Sequence, residues 1–225
     1  MPDKPMLRIG FLASHGGSGM RAIVAAIGSG ELNAEARLLV SNNRDCAALQ
    51  FARDHGLAWR HISAATEGGP DAADAAIAEA MLQAGVNLVV LSGYMRKLGP
   101  AMLARYAGRI LNIHPGLLPR FGGQGMYGRR VHEAVRAAGE TATGATIHLV
   151  DSGYDTGPII AQRQAPVLPH DTAEDIEARV KALEPGLYVE TLKRIAEGEI
   201  ALPRAAAIIG DVSLRAPSAM IRGRE

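Results

Sequence analysis

The chain has 225 residues, 48% hydrophobic and 21% charged, enough for one good-sized core or two small ones. Lys and Arg number 24 against 23 Asp and Glu, and the resulting net charge of +1 excludes the basic excess on which non-specific nucleic-acid binders depend. The lone cysteine, Cys46, can form neither an intrachain disulfide nor a Cys-based zinc site, and no apolar run approaches the ~20 residues of a membrane span. Residues 9–13 are too short an apolar run for a secretory leader. These features predict a soluble, cytoplasmic protein with neither nucleic acid nor membrane as a partner. A surplus of 26 Gly and 12 Pro beside 4% aromatics predicts loops in which backbone comes close to a ligand.

In chain order, residues 7–13 read as a buried strand, followed by His15-Gly16-Gly17-Ser18-Gly19 and a helix whose Met20, Ile23, Val24 and Ile27 recur at three and four. Gly28-Ser29-Gly30 ends that helix. Residues 37–40 predict a second strand, 45–55 a helix closed by Gly56, and 59–62 a short third strand. An Ala-rich helix over 71–84 stops at Gly85, residues 86–91 form the next strand, and Pro100 opens a helix over 101–106. Alternating strands and helices predict a parallel, doubly wound sheet, which places ligands at the carboxyl ends of its strands.

Past residue 110 the texture changes. Prolines stand at 115, 119, 158 and 166, a glycine-rich stretch covers 122–128, and a helix over 131–138 precedes strand-like runs over 145–150 and 158–161. A long helix follows from Thr172 with Ile176, Val180, Leu183, Leu187, Leu192 and Ile195 as its seam, and Pro185 is expected to kink or interrupt it.

The glycines at 16, 17 and 19 let backbone N–H groups converge at a helix N-terminus, where the dipole favours a phosphate. The spacing is not the dinucleotide fingerprint, and the second strand ends in Ser41-Asn42-Asn43 where that fold carries an acid. No Gly-Lys-Ser/Thr follows, so a Walker loop is excluded as well. A phosphate monoester is the favoured ligand, with a tight turn that binds nothing as the alternative.

In Leu111-Asn112-Ile113-His114-Pro115, period-two alternation puts Asn112 and His114 on one strand face, and Pro115 holds His114 extended. A carboxamide donor beside a titratable imidazole suits an acyl-transfer site with a developing oxyanion. Asp151 and Asp155, in a turn between two strand-like runs, are the nearest carboxylates in character to support that imidazole. Singly, Asn112 could be a cap, His114 a satisfied core residue and Asp155 a turn former. A metal site is disfavoured, because His114, His132 and His148 lack short ligand spacing.

Residues 112–119, with Gly144-Ala145-Thr146-Ile147-His148, Asp155-Thr156-Gly157-Pro158-Ile159-Ile160, Gly93-Tyr94-Met95-Arg96 and the glycine loop, closely resemble the folate-dependent formyltransferase family over about residues 7–202. The resemblance implies an α/β fold with a Rossmann-like, mostly parallel sheet flanked by helices and a smaller C-terminal folate-facing part. It implies one domain over 1–202, with a phosphate-binding half to residue 110 and a catalytic half from 111, followed by a tail over 203–225. The implied activity is formyl transfer from 10-formyltetrahydrofolate, a co-substrate, to the amine of N1-(5-phospho-D-ribosyl)glycinamide in purine biosynthesis, without a metal, by a monomer or homodimer. A formyl hydrolase, a transferase for another amine, and a catalytically dead binding module are the alternatives.

By the same resemblance, Asn112, His114 and Asp155 are the catalytic trio, with Asp155 keeping His114 protonated. Gly17, Ser18 and Gly19 form the phosphate loop. Met95, Arg96, Lys97 and Leu98 hold the pterin ring together with Asn112, and Val150 and Asp151 lie across it. Lys181 and Glu184 contact the ribonucleotide, although that pair could also be a solvated i,i+3 salt bridge. Pro70 and Pro185 depart from the family pattern, at positions that resemble a folate-tail contact and a substrate-side histidine.

Overall fold

The computed structural model describes residues 6–203. The tail assigned to 203–225 therefore lies outside the described residues except for Pro203. Seven strands run β1 Leu7–Ala13, β2 Ala34–Ser41, β3 Trp59–His61, β4 Leu88–Leu91, β5 Ile110–His114, β6 Ala142–Leu149 and β7 Ile159–Pro166. They form one sheet in the order β3-β2-β1-β4-β5-β6-β7, parallel from β3 to β5 and antiparallel across β5–β6 and β6–β7. The helices are α1 Ser18–Gly28, α2 Ala47–Asp54, α3 Ala64–Glu67, α4 Pro70–Gln83, α5 Pro100–Arg105, α6 Arg129–Ala137 and α7 Ala173–Glu197.

Alternation along the strands splits the apolar residues into two cores. Ile9, Phe11 and Leu111 join Met20 and Ile23 of α1, Leu49 of α2, and Ile176, Val180, Tyr188 and Leu192 of α7 on one side. Leu12, Val40 and Val89 join Ile77 and Met81 of α4 and Met102 of α5 on the other. Asp74 is buried beneath the start of α5, where its carboxylate accepts N–H bonds from Gly99 at 2.7 Å, Ala101 at 2.8 Å and Met102 at 3.1 Å. It thereby caps a helix whose own N-cap residue, Gly99, offers no side chain.

Three expectations change. The helix over 172–197 runs through Pro185 without interruption, because its buried face is held by α1, α6, β6 and β7 along its length. The last strand extends to Pro166 instead of stopping at 161; Gln162, Arg163 and Gln164 break its apolar run, and Gln162 is held in the ladder by bonds to the Leu118 carbonyl and Thr146 Oγ1, both at 2.9 Å. The short helix α3, with a Ser63–Thr66 capping box, carries no apolar period and was not expected.

Candidate active site

At the end of β1 the chain turns into α1 through Gly17, whose φ of 63° is left-handed and suits glycine. No acceptor in the described protein meets the amides of Gly17, Ser18 and Gly19, while the next amide, Met20, donates to Ser92 Oγ at 3.0 Å. Gly19 has no room for a side chain, since a Cβ would lie 2.8 Å from the Tyr188 ring. Two residues that sequence reasoning passed over hold this loop. Arg21 donates to the carbonyls of Gly16 at 2.8 Å and Ala47 at 3.0 Å. Buried Ser14 donates to Asn42 Oδ1 at 2.6 Å and accepts the Met95 N–H at 2.8 Å, tying the loop to the 95–98 segment.

β5 presents Asn112 and His114 on one face, and antiparallel pairing sets His148 of β6 directly beside Asn112. Nδ1–H of His148 donates to the carbonyl of Leu149 at 2.9 Å, which fixes the tautomer and leaves Nε2 to accept an Asn112 Nδ2–H at 3.1 Å. The second Asn112 N–H stays free. His148 is the functional residue the sequence reading missed; the signal was its register opposite Asn112, which only strand pairing reveals.

The chain after β6 doubles back so that Asp155 Oδ2 comes 3.4 Å from His114 Nδ1 and Oδ1 comes 3.5 Å from His148 Nε2. Asp155 also accepts the Gly123 N–H at 3.0 Å, and its φ is 56°. Asp151, the other candidate, instead accepts Gly153 N–H at 2.9 Å and Thr156 Oγ1–H at 2.7 Å and so shapes the turn that delivers Asp155.

Burial lowers the pKa of His114, against the opposing pull of Asp155 and of the Phe121 carbonyl, and neighbouring His148 lowers it further. A ring protonated at rest, as expected above, is therefore not what these surroundings favour. Nε2–H donates to Phe121 O at 2.8 Å, leaving Nδ1, beside Asp155, as the edge that can take up a proton. Burial alone would raise Asp155, but His148 and His114, whenever either ring carries a proton, and the Gly123 N–H hold it below the usual carboxylate value.

A cavity of about 1170 Å³ joins these parts. The glycine loop, the 95–98 segment, Asn112, His114, Val150, Asp151, Asp155, Lys181 and Glu184 all line it, whereas Pro70 starts α4 and does not. Lys181 pairs with Glu177 at 2.6 Å, not with Glu184. Glu184 is left facing the cavity unpaired, and burial pushes its carboxyl up to about 7, with Lys181 opposing. Among the described residues no cluster of three His, Cys, Asp or Glu could hold a metal, and no helix is long and apolar enough to cross a membrane.

A glycine loop with unpartnered amides at the first parallel strand, joined by one cavity to an Asn–His–Asp cluster, is an arrangement suited to a group-transfer enzyme. Residues 7–192 match the formyl transferase family, and the chain belongs to it. Among its relatives, the phosphoribosylglycinamide formyltransferase of Escherichia coli K12 is 33% identical over 201 residues, 89% of this chain and 92% of that protein. The chloroplastic phosphoribosylglycinamide formyltransferase of Vigna unguiculata is 38% identical over 193 residues, and the chain spans only 62% of its length. The crystal structure of glycinamide ribonucleotide transformylase 1 from Symbiobacterium toebii superposes with a TM-score of 0.81 at 37% identity, covering 89% of this chain and 92% of that one.

Proposed function

We propose that the chain transfers the formyl group of 10-formyltetrahydrofolate to the amine of N1-(5-phospho-D-ribosyl)glycinamide, in purine biosynthesis and in the cytoplasm. The open amides of Gly17, Ser18 and Gly19, with Lys181, hold the phosphate, and Glu184 accepts hydrogen bonds from the ribonucleotide. Met95, Arg96, Lys97 and Leu98 on one side and Val150 and Asp151 on the other hold the folate ring. The substrate amine attacks the formyl carbon directly. As the carbonyl oxygen gains charge, the free N–H of Asn112 stabilises it. His114 Nδ1 takes the proton lost by the attacking nitrogen, becomes imidazolium beside Asp155, and returns the proton to N10 of the folate as the C–N10 bond breaks. No covalent enzyme intermediate forms.

The observation that carries this reading is the placement of Asn112, His114 and Asp155 on the wall of the same cavity that ends at the unpartnered amides. Incubation with both substrates should give formylated ribonucleotide and tetrahydrofolate in equal amounts. Formate released without the ribonucleotide would indicate a hydrolase, and ligand binding without turnover a dead module. Either result refutes the proposal.

A further inference from the structure

Thr146 of β6 lies directly opposite His114 in the β5–β6 ladder and opposite Gln162 of β7 on its other side. It is fully buried, and its hydroxyl is used to capacity. Oγ1–H donates to the Gly116 carbonyl at 2.6 Å, while Oγ1 accepts the Leu118 N–H at 3.1 Å and a Gln162 Nε2–H at 2.9 Å. Gln162 Nε2 also donates to the Leu118 carbonyl at 2.9 Å. Two neighbouring strands thus fasten the chain that leaves β5 just past His114. That chain forms a strap over the imidazole. A Cβ on Gly116 would stand 3.1 Å from His114 Nε2 and 3.1 Å from Val131 Cγ1, so the bare glycine packs closely against the ring. Further on, the Phe121 carbonyl accepts Nε2–H at 2.8 Å from a backbone with a φ of 55°, which a bulky side chain disfavours.

A backbone held in so unfavourable a region persists only where its surroundings fix it. Thr146 and Gln162 fix the start of the strap, and the Gly123 N–H on Asp155 Oδ2, at 3.0 Å, fixes its end. If the start slipped, the Phe121 carbonyl would leave Nε2, and the single proton of the neutral ring could sit on either nitrogen. A ring with its proton on Nδ1 has no lone pair on the edge beside Asp155 and cannot act there as a base. We infer that Thr146, supported by Gln162, is a positioning residue for His114: it holds the 116–121 strap so that the Phe121 carbonyl keeps the imidazole proton on Nε2 and leaves Nδ1 free. Thr146 does not line the cavity, so it acts through the strap and not on a ligand. The inference rests on the role proposed for His114 above.

The test uses the whole chain with ¹⁵N-labelled histidine, studied by NMR well above the lowered pKa of His114, where the ring is neutral. The His114 signal, assigned by its loss in His114→Gln, should show one tautomer in the wild type, with the proton on Nε2. Thr146→Val keeps the shape and deletes the hydroxyl, and its His114 signal should move toward an average of the two tautomers. Its kcat should fall about ten- to a hundredfold while KM for either substrate changes by less than about threefold. Thr146→Ser retains the hydroxyl and should keep the wild-type signal and most of kcat. If Thr146→Val does not fold, Gln162→Met, at an exposed position on the edge strand, should move signal and kcat the same way but less far. An unchanged His114 signal in the folded variants overturns the inference, whatever kcat does, and leaves the proposed function standing. A serine variant that behaves like the valine one also overturns it. Mixed tautomers with undiminished kcat would keep the positioning role and sink His114 as the base in the proposed function.

Discussion

Glu184 offers a quantitative test, because the environment that suits it to a ligand penalises the empty protein. Its carboxyl titrates at about 7 in the fold against an ordinary 4.5, chiefly through burial. Between those values the folded state binds more protons than the unfolded one, so stability falls as pH rises through that window. Linkage over that interval puts the penalty at about 3 kcal/mol at pH 8 and at about 1 kcal/mol or less at pH 5. Glu184→Gln keeps the shape and removes the charge. In urea unfolding without ligand, the variant should therefore exceed the wild type in stability by about 3 kcal/mol at pH 8 and by about 1 kcal/mol or less at pH 5. Calorimetry on the same variant should show weaker ribonucleotide binding, so stability and affinity move in opposite directions. A variant no more stable than wild type at pH 8, or one whose advantage is equal at the two pH values, would refute the reasoning.

Other consequences can be measured independently. Asn112→Ala and His114→Ala should each lower kcat about a hundred- to a thousandfold while ribose 5-phosphate binding, followed by calorimetry, stays close to wild type. The acid limb of the pH–rate profile should have its midpoint below 6.5, since burial lowers His114, and Asp155→Asn should move it lower still by removing an opposing charge; a midpoint above 6.5 contradicts the assignment of His114 as the base. His148→Phe should cut kcat more than it raises KM, because Asn112 loses the acceptor that orients it, and steady-state kinetics will show the split. Asp74→Ala should cost roughly 2–3 kcal/mol of stability by uncapping α5, read from chemical denaturation, with kcat of the folded fraction unchanged.

Much of the parallel half was legible because β1 and β4 are short apolar runs that lead into Ser14-His15-Gly16 and Ser92-Gly93, and α1 carries a three-four stripe of Met20, Ile23 and Ile27. Legibility failed where tertiary context overrides local pattern. β7 is an edge strand whose apolar run is broken by Gln162, Arg163 and Gln164, and α7 tolerates Pro185 because residues on both sides of it, from Ile176 to Leu192, are buried against neighbouring elements. Within the site, Asn112 and His114 could be paired from spacing alone, since one strand fixes both. His148 and Asp155 could not, because their positions depend on the β5–β6 register and on a turn whose Gly157 lies so close to the Leu149 carbonyl that a Cβ would fall 1.8 Å from it. Arg21 and Ser14 were invisible for a related reason: each acts through backbone groups that carry no mark in the sequence.

The left-handed backbone at Asp155 restricts what mutation can place there. At a φ of 56°, glycine, asparagine and aspartate fit readily, whereas other L-residues incur about 1–2 kcal/mol. The partnership with His114 and His148 sets a different restriction, for a carboxylate, which only aspartate and glutamate meet. The two restrictions overlap at aspartate alone. Asparagine there would preserve the turn and lose the charge, and glutamate would preserve the charge and strain the turn, so a drifting lineage has no single-step neighbour that keeps both.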